Sequence, residues 1–227
     1  MSYSAVVDNL GLLHPQDRVL IYFHGDADGC ASATMLAAYL NDIGNEFKIY
    51  TPPTGDPRID ESVFEVSRDF NKIIFLDIGH RPMDILRELA RDRQIIFIDH
   101  HRDESAIEIP ENMVYYNPAN EGKKEPVSYT VYRAVNELGD YTHLCWVALV
   151  GVVGDKEEKR FQDLTETCFS LFPNLKGSKK NGDFAIMRYF VGIINCGRAY
   201  YRGDGAVMAV NLMIKAAAQK KPDLMLW

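Results

Sequence analysis

The stretch QIIFIDHH, residues 94–101, is an apolar run of strand-forming residues that ends abruptly in Asp99, His100 and His101. A short continuous apolar run is typical of a strand that is buried on both faces of a parallel sheet. Open sheets of this class bind their ligands at the carboxyl ends of the strands. The stretch therefore predicts a parallel α/β sheet with an acidic, histidine-containing site at one edge.

The same junction of an apolar run with a carboxylate recurs three times along the chain. VLIYFHGDADG spans residues 19–29, IIFLDIG spans residues 73–79 and ALVGVVGD spans residues 148–155. Carboxylates that converge without cationic partners repel one another unless a cation lies between them. Together the four junctions predict a metal site at one edge of the sheet. The ligands that these three runs offer are His24, Asp26, Asp28, Asp77 and Asp155.

The spacing of the first motif suggests how its side chains are arranged. Alternate side chains of an extended segment point the same way, so we expect His24, Asp26 and Asp28 to share one face. The alternative is a helix N-cap at this strand-to-helix turn, with the aspartates facing solvent.

The two adjacent histidines are expected to have different roles. Side chains of neighbouring residues in an extended segment point in opposite directions. We therefore expect one of His100 and His101 to bind a metal ion and the other to face the substrate. Asp99 would fix the tautomer of a histidine, as metal-bound imidazoles usually require.

Strand-forming and helix-forming segments alternate as far as about residue 155. This alternation predicts a doubly wound, mainly parallel α/β sheet with helices on both faces and right-handed crossovers. The predicted strands are Arg18–Phe23, Phe47–Tyr50, Lys72–Leu76, Gln94–Ile98 and Met113–Tyr116. Residues 1–17 are predicted to form a short helix or a lead-in packed on the sheet edge, and residues 30–44 a helix that ends at Gly44. The other predicted helices of this region are Ile59–Phe70, Arg81–Arg93, Val127–Leu138 and His143–Val153, and residues 51–58 are predicted to form a loop.

Beyond Asp155 the chain becomes mostly helical. Helical spacing of apolar residues predicts helices over Phe184–Cys196 and Gly205–Ala218. We therefore predict a catalytic α/β domain over residues 1–158 and a helical C-terminal extension over residues 159–227.

Length, charge and cysteine usage exclude several classes of protein. The 227 residues suffice for one large domain or a domain with an appendage. A formal charge of −7 argues against an extended duplex-binding surface but leaves short oligonucleotides open. Neither a membrane-spanning apolar run nor a secretory signal is evident, which predicts a cytoplasmic protein without a membrane partner. The 4 cysteines form no CxxC pair, which predicts free thiols.

Taken in order, DADG, a strand-end aspartate, DHH and VGD resemble the motifs of the DHH phosphoesterase superfamily. The resemblance covers residues 18–155, and the His-x-Asp-x-Asp-Gly form of the first motif is similar to the RecJ-like branch. It implies a site for two metal ions and hydrolysis by direct attack of an activated water molecule. Carboxylates with one or two imidazoles suit Mn²⁺ best, with Mg²⁺ or Co²⁺ as alternatives.

The resemblance also implies a role for each residue of the motifs. Asp26 would bind one ion and Asp28 the other, with Asp77 bridging both. A second set would complete the site, consisting of His24, His100 and Asp155 as further ligands, Asp99 as a catalytic residue and His101 at the scissile phosphate.

The C-terminal part departs from the superfamily pattern. Members typically carry a second substrate domain (DHHA1) with a glycine-rich phosphate-binding motif, and this sequence contains no Gly-Gly doublet. Residues 195–210, NCGRAYYRGDGAVMAV, resemble the helical region that follows the catalytic core in RecJ-like members. The resemblance makes Arg198 and Arg202 candidate phosphate contacts, with solvated helix-end arginines as the alternative.

The predicted substrate is a short or single-stranded nucleic acid, cleaved at its phosphodiester bonds in the manner of an exonuclease. A second hypothesis is a phosphatase or phosphodiesterase of small molecules such as pAp, a cyclic dinucleotide or polyphosphate. A third, from another class, is a non-catalytic DHH scaffold in replication or repair. A homodimer is compatible with each of them.

Overall fold

A parallel sheet of five strands forms the centre of the protein in a computed structural model, which describes residues 2–53, 57–102 and 108–226. The strands are β1 Arg18–Phe23, β2 Glu46–Tyr50, β3 Lys72–Leu76, β4 Gln94–Ile98 and β5 Met113–Tyr116. Their order across the sheet is β2-β1-β3-β4-β5. All five predicted strands are confirmed, and only β2 begins one residue earlier than predicted. The loop predicted over residues 51–58 lies partly outside the described residues.

Helices cover both faces of the sheet, which confirms the doubly wound α/β fold. On β1, Val19, Ile21 and Phe23 face one apolar cluster while Leu20 and Tyr22 face the other. The α-helices of the described residues are α1 Tyr3–Gly11, α2 Ala27–Asp42, α3 Ser62–Val66, α4 Met83–Leu89, α5 Val127–Leu138, α6 Cys145–Gly154, α7 Gln162–Leu171 and α8 Ala185–Ala218. The first cluster also contains residues of α1, α2 and α5 to α8, and the second contains residues of α3 and α4.

Two helices on the smaller face are shorter than predicted. Only the central part of the predicted helix 59–70 is α-helical, as α3. The predicted helix 81–93 begins later, because Pro82 has extended backbone angles and acts as the N-cap of α4. It ends at Leu89, whose side chain is buried, and a turn then leads into β4. Both helices thus retain their central turns, with Val63 of α3 and Leu86 of α4 buried, while their predicted ends form turns and extended segments.

Near the C-terminus, the two predicted helices are continuous as α8, with a sharp kink at Arg202 (φ 52°, ψ −132°). Close backbone contacts hold the kink. A Cβ on Gly205 would lie 2.0 Å from the carbonyl oxygen of Gly197, and the Gly203 amide donates to the Pro53 carbonyl at 3.0 Å.

Since α8 packs on α2 and α6, the helical extension shares the core of the sheet domain. The division near residue 158 stays a prediction.

The apolar residues of the chain fill the core between the sheet and its helices. Within residues 2–53, 57–102 and 108–226, no helix is both long and apolar enough to cross a membrane.

Cys30, Cys145 and Cys168 are buried, Cys196 is exposed, and all four thiols are free.

The contact of α6 with α2 and α5 depends on Gly151, because a Cβ there would lie 2.3 Å from the Ser128 hydroxyl and 2.8 Å from an Asp28 carboxylate oxygen. We expect Gly151→Ala to lower the free energy of unfolding by about 1–3 kcal/mol through overpacking. The matched control is Gly192→Ala at an exposed position of α8, where no neighbour lies within 4 Å of the added Cβ. It should raise the free energy of unfolding by about 0.5–1 kcal/mol. Urea denaturation measures both, and equal effects would contradict the close contact.

Candidate metal centre

Histidine and aspartate side chains gather where the carboxyl ends of β1, β3 and β4 meet. These three strands are neighbours in the sheet and run parallel, so the residues that follow them lie at one edge. The start of α2 and the end of α6 reach the same place, and each adds one carboxylate. The group contains His24, Asp26, Asp28, Asp77, Asp99, His100, His101 and Asp155.

Asp77 lies at the centre of this group. Its side chain is buried, with one carboxylate oxygen 3.1 Å from His24 Nδ1 and the other 3.2 Å from His100 Nε2. Its backbone has φ 62°, while its amide donates to the Ile98 carbonyl at 2.9 Å and so extends the β3–β4 pairing. A positive φ is unfavourable for a residue with a side chain and is often found at functional sites.

His24 and Asp26 form one group with Asp77. His24 Nδ1 lies 3.1 Å from Asp26 Oδ2 and 3.1 Å from Asp77 Oδ2. The other oxygen of Asp26 accepts a hydrogen bond from the Gly29 amide at 3.0 Å, as the N-cap of α2. Asp26 is therefore both a helix cap and part of the cluster.

Asp28 belongs to a second group with His100 and Asp155. His100 Nε2 lies 4.0 Å from Asp28 Oδ2 and 3.4 Å from Asp155 Oδ2. The Asp28 carboxylate is buried and accepts the backbone amides of Val127 at 2.8 Å and Ser128 at 3.0 Å, at the start of α5. The prediction that Asp28 shares a face with the preceding ligands is wrong, because α2 begins at Ala27 and ends the extended geometry there.

The two histidines after β4 do not diverge as predicted. Their rings are 4.9 Å apart, and His101 Nδ1 lies 3.7 Å from the Asp77 oxygen that His100 approaches. Strand geometry ends at Ile98, so the alternation of side chains no longer applies beyond it. His101 Nδ1 is 2.7 Å from Asp99 Oδ1, and Asp99 is buried while the His101 side chain is 41% exposed. This contact orients the ring of His101 towards the solvent-accessible side of the site.

Neighbouring carboxylates raise the pKa values of two buried histidines. Burial alone would lower the pKa of His24, but its hydrogen bonds with Asp26 and Asp77 raise it to about 10. Burial would likewise lower the pKa of His100, but Asp77 and Asp28 raise it to about 10. Each ring therefore favours a proton on the nitrogen that faces these carboxylates, Nδ1 of His24 and Nε2 of His100, when no other cation is present.

The pKa values of the carboxyl groups also reflect the many negative charges that lie close together at this site. Burial, followed by the charge of Asp28, raises the pKa of Asp155 to about 8. Burial and the charge of Asp77 raise the pKa of Asp28 to about 6. In Asp26, the hydrogen bond with His24 outweighs burial and lowers the pKa to about 2. Protons thus supply the positive charge that a metal ion would bring.

The residues present fit divalent metal ions. Among the described residues, one buried oxygen of Asp77 and one of Asp155 accept no well-formed hydrogen bond and share His100 Nε2 as a neighbour, at 3.2 and 3.4 Å. Carboxylate oxygens combined with imidazole nitrogens are suitable ligands for Mn²⁺ and related ions. Three overlapping sets have their ligand atoms within 4.8 Å of one another, namely His24–Asp26–Asp77, Asp77–His100–His101 and Asp28–His100–Asp155.

A buried arginine, Arg81, lies next to Asp99 on the side away from His101. In the sequence it marks only the predicted start of a helix. The Arg81 side chain is 2% exposed and has a nitrogen 3.6 Å from Asp99 Oδ2. It also donates to the hydroxyl of Tyr115 and lies 4.6 Å from the centre of that ring. Asn117 donates to the same hydroxyl at 3.1 Å and to the His101 carbonyl at 2.7 Å. These contacts connect Arg81 to both the ring and the backbone of His101.

Replacing Arg81 should therefore cost much more stability than replacing an exposed arginine. Arg81→Met leaves the Asp99 carboxylate buried without this cation, and we expect a loss of about 3–5 kcal/mol in the free energy of unfolding. The control is Arg91→Met, which removes an exposed ion pair with Glu88 and should cost less than about 1 kcal/mol. Urea denaturation of both variants measures the difference, and similar losses would contradict a role for Arg81 as the cation of Asp99.

Of the two arginines predicted from the C-terminal region, one reaches the cluster. Arg198 Nη1 lies 3.1 Å from His24 Nε2, so the first half of α8 contributes to the site. Arg202 is exposed at the kink and lines a separate cavity of about 260 Å³ with Tyr50 and Tyr201. The structure thus brings Arg198, but not Arg202, to the metal ligands.

A cavity of about 270 Å³ opens beside His100 and Asp155. Its wall contains three basic residues, Arg102, Lys123 and Lys124. In the sequence, the signals for these residues are the position of Arg102 directly after His101 and the polar loop 117–124 that carries both lysines.

Comparisons with known proteins agree with the fold. The model of the DHH family N-terminal domain matches residues 18–160. A crystal structure of exonuclease RecJ bound to manganese has a TM-score of 0.73 and 19% identity, over 99% of this chain and 64% of that one. RecJ of Thermus thermophilus in complex with Mn²⁺ has a TM-score of 0.63 and 18% identity, over 96% of this chain and 37% of that one.

A third solved structure has the same fold. It is the DHH domain of a protein described as a member of a family of ribosomal proteins, with a TM-score of 0.68 and 14% identity, over 99% of this chain and 56% of that one. At these identities the likenesses show the fold alone, and this chain spans at most 64% of the length of each relative. No curated protein matches the chain.

Proposed function

Since this chain belongs to the DHH family, we propose that it is a metal-dependent phosphoesterase that hydrolyses phosphodiester bonds of short or single-stranded oligonucleotides. The observation that carries the proposal is the position of Asp77, whose buried carboxylate lies between His24 on one side and His100 on the other. A carboxylate in this position can serve as a ligand for two neighbouring metal ions.

The proposed ligands divide into two sets that share Asp77. His24 and Asp26 would hold one ion with it, while Asp28, His100 and Asp155 would hold the other. Mn²⁺ suits these donors best, with Mg²⁺ or Co²⁺ as alternatives. Two such ions would supply an activated water molecule and neutralise charge on the phosphate.

His101 is the proposed contact to the scissile phosphate. Asp99 accepts from its Nδ1, which holds the proton there and fixes the orientation of the ring. Asp99 and the charge of Asp77 also raise the pKa of His101, which favours the protonated, phosphate-binding form. The partly exposed ring can meet a substrate that enters from solvent.

Several features of α8 support an oligonucleotide. Arg198 lies next to His24, where it can bind a substrate phosphate, and exposed Arg202 is proposed as a more distant contact. Between them Tyr200 and Tyr201 are 83% and 66% exposed. Exposed aromatic rings beside arginines are typical of single-strand binding, because bases stack on the rings while cations follow the backbone.

The size of the cavity beside His100 supports a small phosphorylated molecule as a second candidate. At about 270 Å³ it lies near the lower end of small-molecule sites, so pAp or another nucleotide is the appropriate comparison. The presence of every expected metal ligand argues against a non-catalytic scaffold.

The test is hydrolysis of a 5′-labelled short oligonucleotide beside pAp, with Mn²⁺ or with EDTA. We expect Mn²⁺-dependent release of mononucleotides, and an increase of KM by about tenfold in Arg198→Met, which corresponds to about 1.4 kcal/mol of lost binding. The control is Arg188→Met on the same helix, which pairs with Glu158 at 3.1 Å and should leave KM unchanged. Faster turnover of pAp would favour the second candidate, and no turnover of either substrate by protein with bound Mn²⁺ would contradict the proposed activity.

A further inference from the structure

The cavity beside the metal centre has a basic wall. His100 and Asp155 line it and also belong to the cluster, so the cavity shares a wall with the metal centre. Arg102, Lys123 and Lys124 also line it and are exposed. Among the described residues, neither Arg102 nor Lys124 has an ion-pair partner, while Lys123 makes an exposed pair with Glu121 at 2.6 Å.

Two acidic residues in the same wall are compensated from outside the cavity. Glu125 accepts from the Thr130 hydroxyl at 2.8 Å and lies 3.3 Å from a guanidinium nitrogen of Arg133. Glu157 lies 2.7 Å from Arg160 Nε. Neither arginine lines the cavity. The remaining charge of this wall is therefore positive, and it favours an anion near the protein surface.

The loop that carries the two lysines is ordered by its own hydrogen bonds. Asn117 accepts from the Ala119 amide at 2.8 Å and donates to the His101 carbonyl at 2.7 Å, which ties the loop to the metal centre. Gly122 has a left-handed φ of 72°, and the Lys123 amide donates to the Pro118 carbonyl at 3.0 Å. A loop fixed in this way loses little conformational entropy when a ligand binds.

We propose that this cavity is an anion subsite that binds a second phosphate group of the substrate, next to the phosphate at the metal centre. Arg102 offers the planar, forked donors that match phosphate oxygens, while Lys123 and Lys124 add point charges. The subsite rests on the proposed function for its place in catalysis, but the binding of phosphate by its basic wall can be measured separately.

The inference predicts a preference among substrates. A dinucleotide with a terminal phosphate at its 5′ or 3′ end should be cleaved with a higher kcat/KM than the same dinucleotide without one. Inorganic tripolyphosphate offers the same chemistry from another source, because each of its phosphates also has a charged phosphate neighbour. Comparing the two phosphorylated dinucleotides with tripolyphosphate therefore identifies which source the subsite accepts.

The decisive variant is a double replacement, Lys123→Ala with Lys124→Ala in the same protein. The matched control is the double replacement Lys179→Ala with Lys180→Ala. The control also removes two adjacent exposed lysines from a loop, but they do not line the cavity. We expect the preference for a terminal phosphate to fall by about tenfold or more in the first variant and to keep its wild-type value in the control.

A binding measurement separates this inference from the proposed function. The probe is a fluorescein-labelled dinucleotide with a methylphosphonate linkage, which is uncharged and resists hydrolysis, with or without a terminal phosphate. In the presence of Mn²⁺, fluorescence anisotropy should show about tenfold weaker binding of the phosphorylated probe to the Lys123/Lys124 variant than to the control.

The outcomes distinguish the two claims. Lysine-dependent binding of the phosphorylated probe without hydrolysis of any substrate would support the subsite and contradict the proposed function. Mn²⁺-dependent hydrolysis of bis-p-nitrophenyl phosphate, with neither a terminal-phosphate preference nor lysine-dependent binding, would overturn the subsite and leave the phosphoesterase intact.

Discussion

Asp77→Asn is expected to reduce kcat for Mn²⁺-dependent hydrolysis by about a thousandfold or more, which corresponds to about 4 kcal/mol of transition-state stabilisation. The reason is that the two carboxylate oxygens serve both halves of the site, one at 3.1 Å from His24 and the other at 3.2 Å from His100. An amide offers one oxygen and no charge, so neither set of ligands keeps its full complement. Steady-state kinetics with a labelled oligonucleotide measure the loss.

Asparagine is the appropriate replacement because it tolerates the positive φ of 62° that Asp77 adopts. The fold should therefore be retained, which circular dichroism can verify. The control is Asp69→Asn, an exposed carboxylate in the turn after α3, which should keep wild-type kcat. An Asp77→Asn protein that retained more than about a tenth of wild-type kcat would contradict the role of a shared ligand.

The second large effect is on stability as a function of pH in metal-free protein. The pKa values of Asp28 and Asp155 are raised to about 6 and about 8, and those of His24 and His100 to about 10. Each of these groups binds its proton more tightly in the folded than in the unfolded chain. The free energy of unfolding should therefore decrease as pH rises from about 5 to about 9. The lowered pKa of Asp26 acts in the opposite direction, and only below about pH 4.

Mn²⁺ should counteract this decrease, because an ion at the carboxylates replaces the protons that are lost. An ion concentration of about 100 times Kd adds about 2.7 kcal/mol to the free energy of unfolding for one site. The stabilisation should be largest near pH 8 and smaller in Asp77→Asn. Differential scanning calorimetry across this pH range, with Mn²⁺ and with EDTA, measures both effects. A metal-free protein that became more stable between about pH 6 and pH 9 would contradict the charge balance described for the site.

The sheet could be predicted from sequence because its strands are buried on both faces. Because the apolar runs of β1, β3 and β4 are continuous, both faces of each strand must be buried. Each strand ends at the residue predicted. Since parallel neighbours end at one edge, the gathering of Asp77 with His100 also followed from the pattern. The chemical roles of these residues stay predictions that the kinetic and binding experiments test.

The contacts between distant segments could not be predicted in the same way. Asp28 is held by the amides of Val127 and Ser128, about a hundred residues later in the chain, because α2 packs against α5. The pairing of Arg81 with Asp99 likewise depends on a tertiary contact that no local pattern encodes. Local periodicity determines which face of an element is apolar, but not which polar groups meet across the core.

The most direct test of the two-metal site is a titration of metal-free protein with Mn²⁺, followed by electron paramagnetic resonance. Two sets of ligands that share Asp77 predict that two Mn²⁺ ions bind per chain. Their spectrum should show magnetic coupling. The coupled signal should be lost in Asp77→Asn. Binding of a single ion, or of two ions without coupling, would contradict the account of Asp77 as the carboxylate that joins both halves of the centre.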